Sequence, residues 1–263
     1  MSRYAAMFAR NQGVFGAYVM LGDPELETSA AILDQLALGG ADMVELGIPF
    51  SDPVADGPVI QAAAVRALGA GVRTADCFAL IRAFRDRHPD VPVGILTYAN
   101  LVLARGLDAF YRAAAEAGAD SVLVADVPVM EAEPFVAAAR AAGIAPVLIA
   151  AANTPAARLA RIAELGEGYT YCVARAGVTG ADEKVRFDHE AMLAALSAAG
   201  APPPVFGFGI SRPDHVRAAL DAGAAGVISG SAIVDLVARG EPVRPFVEAM
   251  KAATYPLCSA GTV

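Results

Sequence analysis

The sequence predicts one (β/α)8 barrel of the α/β class, a single domain over residues 1–263 with extra short helices. Three observations carry that prediction. Short apolar strands alternate with amphipathic helical stretches from end to end. A Gly-Ala echo, at Gly40-Ala41-Asp42, Gly118-Ala119-Asp120 and Gly223-Ala224, closes a helix and opens a strand each time. Eight strand candidates occur without a dinucleotide crevice fingerprint, which favours closure over the competing open, doubly wound sheet.

The candidate strands are Phe15–Leu21, Asp42–Leu46, Pro92–Tyr98, Ser121–Asp126, Ala145–Ile149, Tyr169–Ala174, Pro204–Phe208 and Gly226–Ser229. Each is followed by a helical pattern, as in a TIM barrel. The first helix is expected after Asp23-Pro24, with Asp23 as its N-cap, Pro24 as its first residue and Leu26, Ala30, Leu33 and Ala37 on its apolar stripe. The glycine of each echo stands where a helix C-terminus needs a left-handed residue. Two segments depart from tight packing, Gly47–Gly57 and Arg175–Asp188, and the second has the glycines and charges of a mobile lid. Both follow strands, so in a barrel both rise from the C-terminal face, where barrel active sites lie.

Composition narrows the function. The chain has 263 residues, a net charge of −8 and no dense Lys/Arg cluster, so a nucleic-acid surface is not expected. Hydrophobic residues make up 56% and mean hydropathy is +0.48, yet every apolar run is interrupted before a membrane span is reached. The segment Met1–Asn11 lacks the apolar core of a signal peptide. The cysteines at 77, 172 and 258 form no metal or disulfide pattern, so a cytoplasmic protein with reduced thiols is expected.

Within Met43–Pro58 the carboxylate of Glu45 sits between Val44 and Leu46. Strand side chains alternate, so if its neighbours pack outward Glu45 points into the interior. The following loop delivers Asp52 and Asp56. Burial would raise the pKa of Glu45, while Asp56 on a more solvated loop would stay ionised, giving an acid/base pair. The plainer alternative is that Asp56 caps a turn and Glu45 pairs with an interior arginine. Gly207-Phe208-Gly209-Ile210-Ser211 and Ser229-Gly230-Ser231-Ala232 end the seventh and eighth strands, where barrels bind phosphate through backbone N–H groups and a short helix. Helix-like sequence with Ile233, Leu236 and Val237 follows.

Other chemistries lack their residues. The two lysines, Lys184 and Lys251, stand at no strand end, which disfavours imine chemistry. His88, His189 and His215 are far apart, poor as metal ligands, and read as surface residues. No metal site is expected. Cys172 alternates with Tyr171 and reads as packing.

The string Glu45-Leu-Gly-Ile-Pro-Phe-Ser-Asp-Pro-Val-Ala-Asp-Gly-Pro58 closely resembles the signature of the tryptophan synthase alpha subunit family. The likeness continues through Leu21–Pro24, Tyr98–Leu101, Val122–Pro128, Gly177–Gly180, Gly207–Ser211 and Ile228–Ala232, nearly the whole chain. The resemblance implies a (β/α)8 barrel that reversibly cleaves indole-3-glycerol phosphate to indole and glyceraldehyde 3-phosphate in tryptophan biosynthesis. It implies Glu45 as the proton-transfer group and Asp56 as the aspartate facing the indole N–H. It implies phosphate contacts at Gly180, Gly209, Gly230 and Ser231. Substrate-pocket positions are implied at Tyr18, Leu96, Leu123, Ala125, Ile149, Tyr171, Phe208 and Ile228, with Thr179 as a lid threonine. Pro49, Asp52 and Asn100 are implied at or near a contact with a beta subunit in an α2β2 heterotetramer. No cofactor is implied here; pyridoxal phosphate belongs to the partner. Met20, Thr97, Ala150–Ala152 and Ala176 depart from the family pattern without removing a catalytic group. The alternatives are a free-standing indole-3-glycerol phosphate lyase, a different sugar-phosphate barrel, and a non-catalytic subunit.

Overall fold

The computed structural model describes residues 1–11, 13–173 and 189–255. Apolar runs became strands buried on both faces: β1 (Val14–Met20) and β2 (Met43–Gly47) are buried at every position. They are followed by β3 (Val93–Thr97), β4 (Ser121–Val124), β5 (Ala145–Pro146), β6 (Leu148–Ala151), β7 (Thr170–Val173), β8 (Pro204–Phe206) and β9 (Gly226–Ser229). All pairings are parallel, in the order β5-β4-β3-β2-β1-β9-β8-β7-β6. The two ends of that order are one stretch of chain. β5 pairs with β4, the Val147 N–H donates to the Val122 carbonyl at 3.1 Å, and β6 pairs with β7. Nine segments are therefore eight staves of a closed TIM barrel. The expected fifth strand runs on to Ala151 and is divided beside Pro146, which has no N–H to give to the ladder.

The echo glycines have the conformation assigned to them. Gly40, Gly118 and Gly223 lie at φ 89°, 90° and 98°. After each, the next N–H returns to a carbonyl of the last helical turn: Ala41 to Leu36, Ala119 to Ala114 and Ala224 to Ala219, at 3.0–3.1 Å. The two aspartates of the echo then stitch strand starts together. Asp42 Oδ2 accepts the Phe15 N–H at 2.8 Å and Asp120 Oδ2 the Val93 N–H at 2.8 Å. Lys251 pairs with Asp42 at 2.7 Å, and Arg85 with Asp120 at 2.6 Å. Lys251 thus serves the N-terminal end of the barrel, away from the loops that follow the strands.

The first helix after β1 differs from expectation. It spans Leu26–Leu38, with Glu25 at the N-cap position and no side-chain cap. Asp23 instead accepts two hydrogen bonds from Arg66, both at 2.7 Å, an ion pair of higher worth to a buried carboxylate than a cap. The buried face is Ser29, Ile32, Leu33 and Leu36, so Leu33 alone of the expected stripe is fully buried.

Helix Arg3–Arg10 buries Tyr4 and Met7. Tyr4 shares a 2.7 Å hydrogen bond with Ser121, at the start of β4, and its ring packs against Tyr169 at 5.4 Å. An N-terminal helix thus places an aromatic group against the start of the barrel. Among the described residues, no helix is long and apolar enough to cross a membrane.

Candidate active site

Glu45 is buried in the lumen, in register with Tyr18 of β1 and Gly94 of β3. Among the described residues no arginine meets it. Its Oε1 accepts the Tyr169 hydroxyl at 2.7 Å across the barrel, and its Oε2 has no partner among the described residues. Burial raises its pKa to about 7; the Tyr169 hydrogen bond opposes the rise and the nearby charge of Asp56 adds to it. Gly94 keeps this layer open, because a Cβ there would lie 3.0 Å from Ser121 Oγ and 3.2 Å from the Tyr4 hydroxyl.

Asp56 stands one level higher, on the loop after β2. Gln61 Nε2 donates to its backbone carbonyl at 2.8 Å, and the Tyr98 hydroxyl favours the ionised form of its carboxylate. Tyr98 also accepts the Ala55 N–H at 3.3 Å and packs on Phe50 at 5.4 Å. The solvated setting expected for Asp56 is corrected: desolvation, only partly offset by Tyr98, raises its pKa to about 6. The expected order of the two acids holds, but the gap is narrow.

Asp56 lines a cavity of about 340 Å³ in the mouth of the barrel. Tyr18, Leu96, Leu123 and Ala125 form part of the wall. Ile149, Tyr171, Phe208 and Ile228 form more of it, with the Tyr171 and Phe208 rings edge-on at 6.2 Å. Val54, Ala55, Ile60 and Val173, which were not singled out from sequence, also line it, together with Gly207, the first residue of the turn expected to bind phosphate. Gly207 had a readable reason, since a Cβ there would lie 2.0 Å from the Tyr171 ring. Glu45 is not in the wall: Tyr169 holds it in the layer beneath. Tyr169 was itself missed, although it shares strand parity with Tyr171.

At the opposite rim Gly230 and Ser231 line the cavity where helix Ser231–Ala238 begins. Its first N–H groups have no intrahelical partners and attract an anion. The neighbouring turn is pinned by Ser229 Oγ, which donates to the Ile210 carbonyl at 2.6 Å, and by His215 Nδ1, which donates to the Gly209 carbonyl at 2.9 Å. Gly209 is exposed, at φ 78°, and outside the cavity wall. Thr179, Gly180 and the segment Arg175–Asp188, with Ala176 and Lys184, lie outside the described residues.

The histidines need correction. His215 and His189 are buried, His189 stacked on Phe206, and His88 is partly buried on Asp34 at 2.8 Å. Among the described residues no group of three or more His, Cys, Asp or Glu could hold a metal ion. Cys77 and Cys172 are buried free thiols, and burial pushes both up to about 12. Of the expected partner contacts, Asp52 and Asn100 are exposed, and Pro49 is buried in the isolated chain.

This arrangement suits proton transfer to and from a mainly apolar ligand whose anionic end lies at the far rim. A family model described as "Tryptophan synthase alpha chain" matches residues 4–256. A tryptophan synthase alpha chain of Shewanella amazonensis is 53% identical, covering 97% of this chain and 100% of its own. The structure of Mycobacterium tuberculosis tryptophan synthase is 30% identical with a TM-score of 0.87, covering 96% and 98%. The tryptophan synthase complex of Pyrococcus furiosus is 33% identical with a TM-score of 0.83, covering 92% and 99%. With its barrel, paired acids and helix start already in place, the chain belongs to the tryptophan synthase alpha chain family.

Proposed function

We propose that Glu45 and Asp56 carry out the reversible cleavage of indole-3-glycerol phosphate to indole and glyceraldehyde 3-phosphate. As a member of its family the chain is a carbon–carbon lyase of tryptophan biosynthesis. One observation carries the assignment of roles: two desolvated acids without a cationic partner among the described residues, beside an apolar cavity closed at its far rim by a helix start. The cavity is of the size usual for small-molecule sites, roughly 300–1,000 Å³.

The indole ring packs among Leu96, Leu123 and Ile149, and the phosphate meets the backbone at Gly230 and Ser231. Protonated Glu45 releases Tyr169, rotates upward and gives its proton to indole C3. The ring nitrogen becomes an iminium whose N–H faces ionised Asp56, a stabilisation strengthened by the dry site. Glu45, now a carboxylate, takes the proton of the side-chain hydroxyl. The C–C bond then breaks, its electrons restore the ring, and the hydroxyl carbon leaves as an aldehyde. Glu45 ends protonated, ready for another turn. A pKa near neutrality suits a group that must give and take a proton in one cycle. In this scheme the indolenine is the electron sink, so neither lysine nor metal is needed.

The test is indole release by the wild type and by Glu45→Gln. The variant should bind substrate and lose cleavage by about 10³-fold or more. Near-normal turnover removes Glu45 from its role.

We further propose that the chain is one domain, acts in the cytoplasm and pairs with a beta subunit as an α2β2 heterotetramer. Val54, Leu103 and Met130 support a docking face. They are 73%, 53% and 64% exposed, and follow β2, β3 and β4 on the rim that carries the cavity. Asp52 and Asn100 stand on the same rim. High activity without a beta chain, unchanged on adding one, would favour the free-standing lyase.

A further inference from the structure

The cavity wall holds a polar group that the acid–base scheme does not use. Tyr18 is 5% exposed, and its hydroxyl has no hydrogen-bond partner among the described residues. Leaving a buried hydroxyl unpaired costs free energy, so each such group in a folded protein calls for an explanation. Its position is defined at both ends. Gly230, at the phosphate-side rim, lies against the Tyr18 ring: a Cβ there would be 3.3 Å from Cδ1. At the other end a Cβ on Gly47 would lie 2.2 Å from the hydroxyl oxygen. Tyr18 therefore spans the cavity from β9 to β2, and its hydroxyl occupies the space that the missing side chain at 47 leaves.

Residues 45 and 47 of β2 share a face, so this space is one layer above the Glu45 carboxyl. In the layer beneath, Glu45 Oε2 is likewise without a partner among the described residues. Glu45, rotating up towards a substrate atom, enters the layer that holds the Tyr18 hydroxyl. Resting on the lyase reading, we infer that Tyr18 does more than line the pocket: its hydroxyl bonds the hydroxylated glycerol segment and selects for it. Burial and the nearby acids hold Tyr18 well above its usual pKa, so it stays a neutral donor and takes no part in proton exchange. Donating to the oxygen on the carbon that becomes the aldehyde, it strengthens as that carbonyl forms.

The experiment compares wild type with Tyr18→Phe using two ligands: indole-3-glycerol phosphate, and 3-(indol-3-yl)propyl phosphate, which keeps ring and phosphate but lacks both hydroxyls. The variant should lose roughly tenfold in kcat/KM for the first, with the inhibition constant of the second unchanged within about twofold. Its Tm should hold or rise, because an unpaired buried hydroxyl is removed. Equal losses with both ligands, no loss with either, or a lowered Tm would each overturn the inference: the first and last make the hydroxyl structural, the second makes it idle. A wild-type chain that cleaves nothing refutes the lyase reading instead, and the Tm arm still reports on the hydroxyl.

Discussion

At the N-terminal end of the barrel, Asp42 and Asp120 each accept a strand N–H and each face a cation, Lys251 and Arg85, with Arg3 also reaching Asp120 at 2.9 Å. Further towards the other end, in the lumen and at its mouth, Glu45 and Asp56 have tyrosine hydroxyls for company and, among the described residues, no cation. The same residue types are thus compensated at one end and left under-compensated at the other. A carboxylate with an N–H and a cation is held ionised and rigid, which serves stability. A carboxyl surrounded by apolar groups has its proton affinity raised towards neutrality, which serves chemistry.

The largest effect that would break this comparison is chemical. Glu45→Gln should remove about 10³-fold or more of the cleavage rate without unfolding the chain. At the compensated end the expected loss is of stability. Asp120→Ala removes the counter-charge of Arg85, whose side chain is 11% exposed and keeps only backbone carbonyls as partners apart from it, and leaves the Val93 N–H without its acceptor. The expected cost is about 3–5 kcal/mol, read as a lower Tm, with kcat per folded molecule unchanged. A fall in kcat at full folding would show that the two ends are not separate in function.

Sequence exposed what is local and hid what is distant. Strand and helix periodicity and the glycine of each echo are signals within a few residues, and the closed barrel followed from them. Glu45 was legible because its apolar neighbours fix its direction. Its partner Tyr169 lies 124 residues away, and no local pattern announces it. Asp23 read as a cap because a cap is the local solution; Arg66, 43 residues on, competes better. The histidines read as surface residues, yet His215 is buried because its ring holds the Gly209 carbonyl. Asp56 was placed in solvent because it stands on a loop, but that loop folds over Tyr98 and Phe50.

A smaller effect sharpens the comparison through pH. Catalysis as proposed needs Asp56 ionised and Glu45 protonated. As pH falls through about 6 Asp56 gains its proton, and as pH rises through about 7 Glu45 loses its own. A narrow bell in kcat/KM should result, its two limbs belonging to the coupled pair. Asp56→Asn should flatten the acid limb in whatever activity remains. A rate constant across pH 5 to 8, a span of roughly the usual stability plateau, would mean that neither acid titrates in the free enzyme.

The smallest effect concerns stability at the uncompensated end, where its sign is opposite to that of a paired carboxylate. Folding raises the Glu45 pKa from 4.5 to about 7. Below the unfolded value both states hold the proton, and the group imposes no penalty. As pH rises towards the folded value the unfolded chain releases its proton first, so the native state is progressively disfavoured. Above about 7 the penalty is complete, on the order of 3 kcal/mol at most. Glutamine never ionises and escapes it. The Tm of Glu45→Gln should therefore match wild type near pH 4.5 and exceed it by a few degrees at pH 8. Parallel Tm curves across that range would mean that Glu45 is solvated in the folded chain, and the contrast between the two ends of the barrel would lose its physical basis.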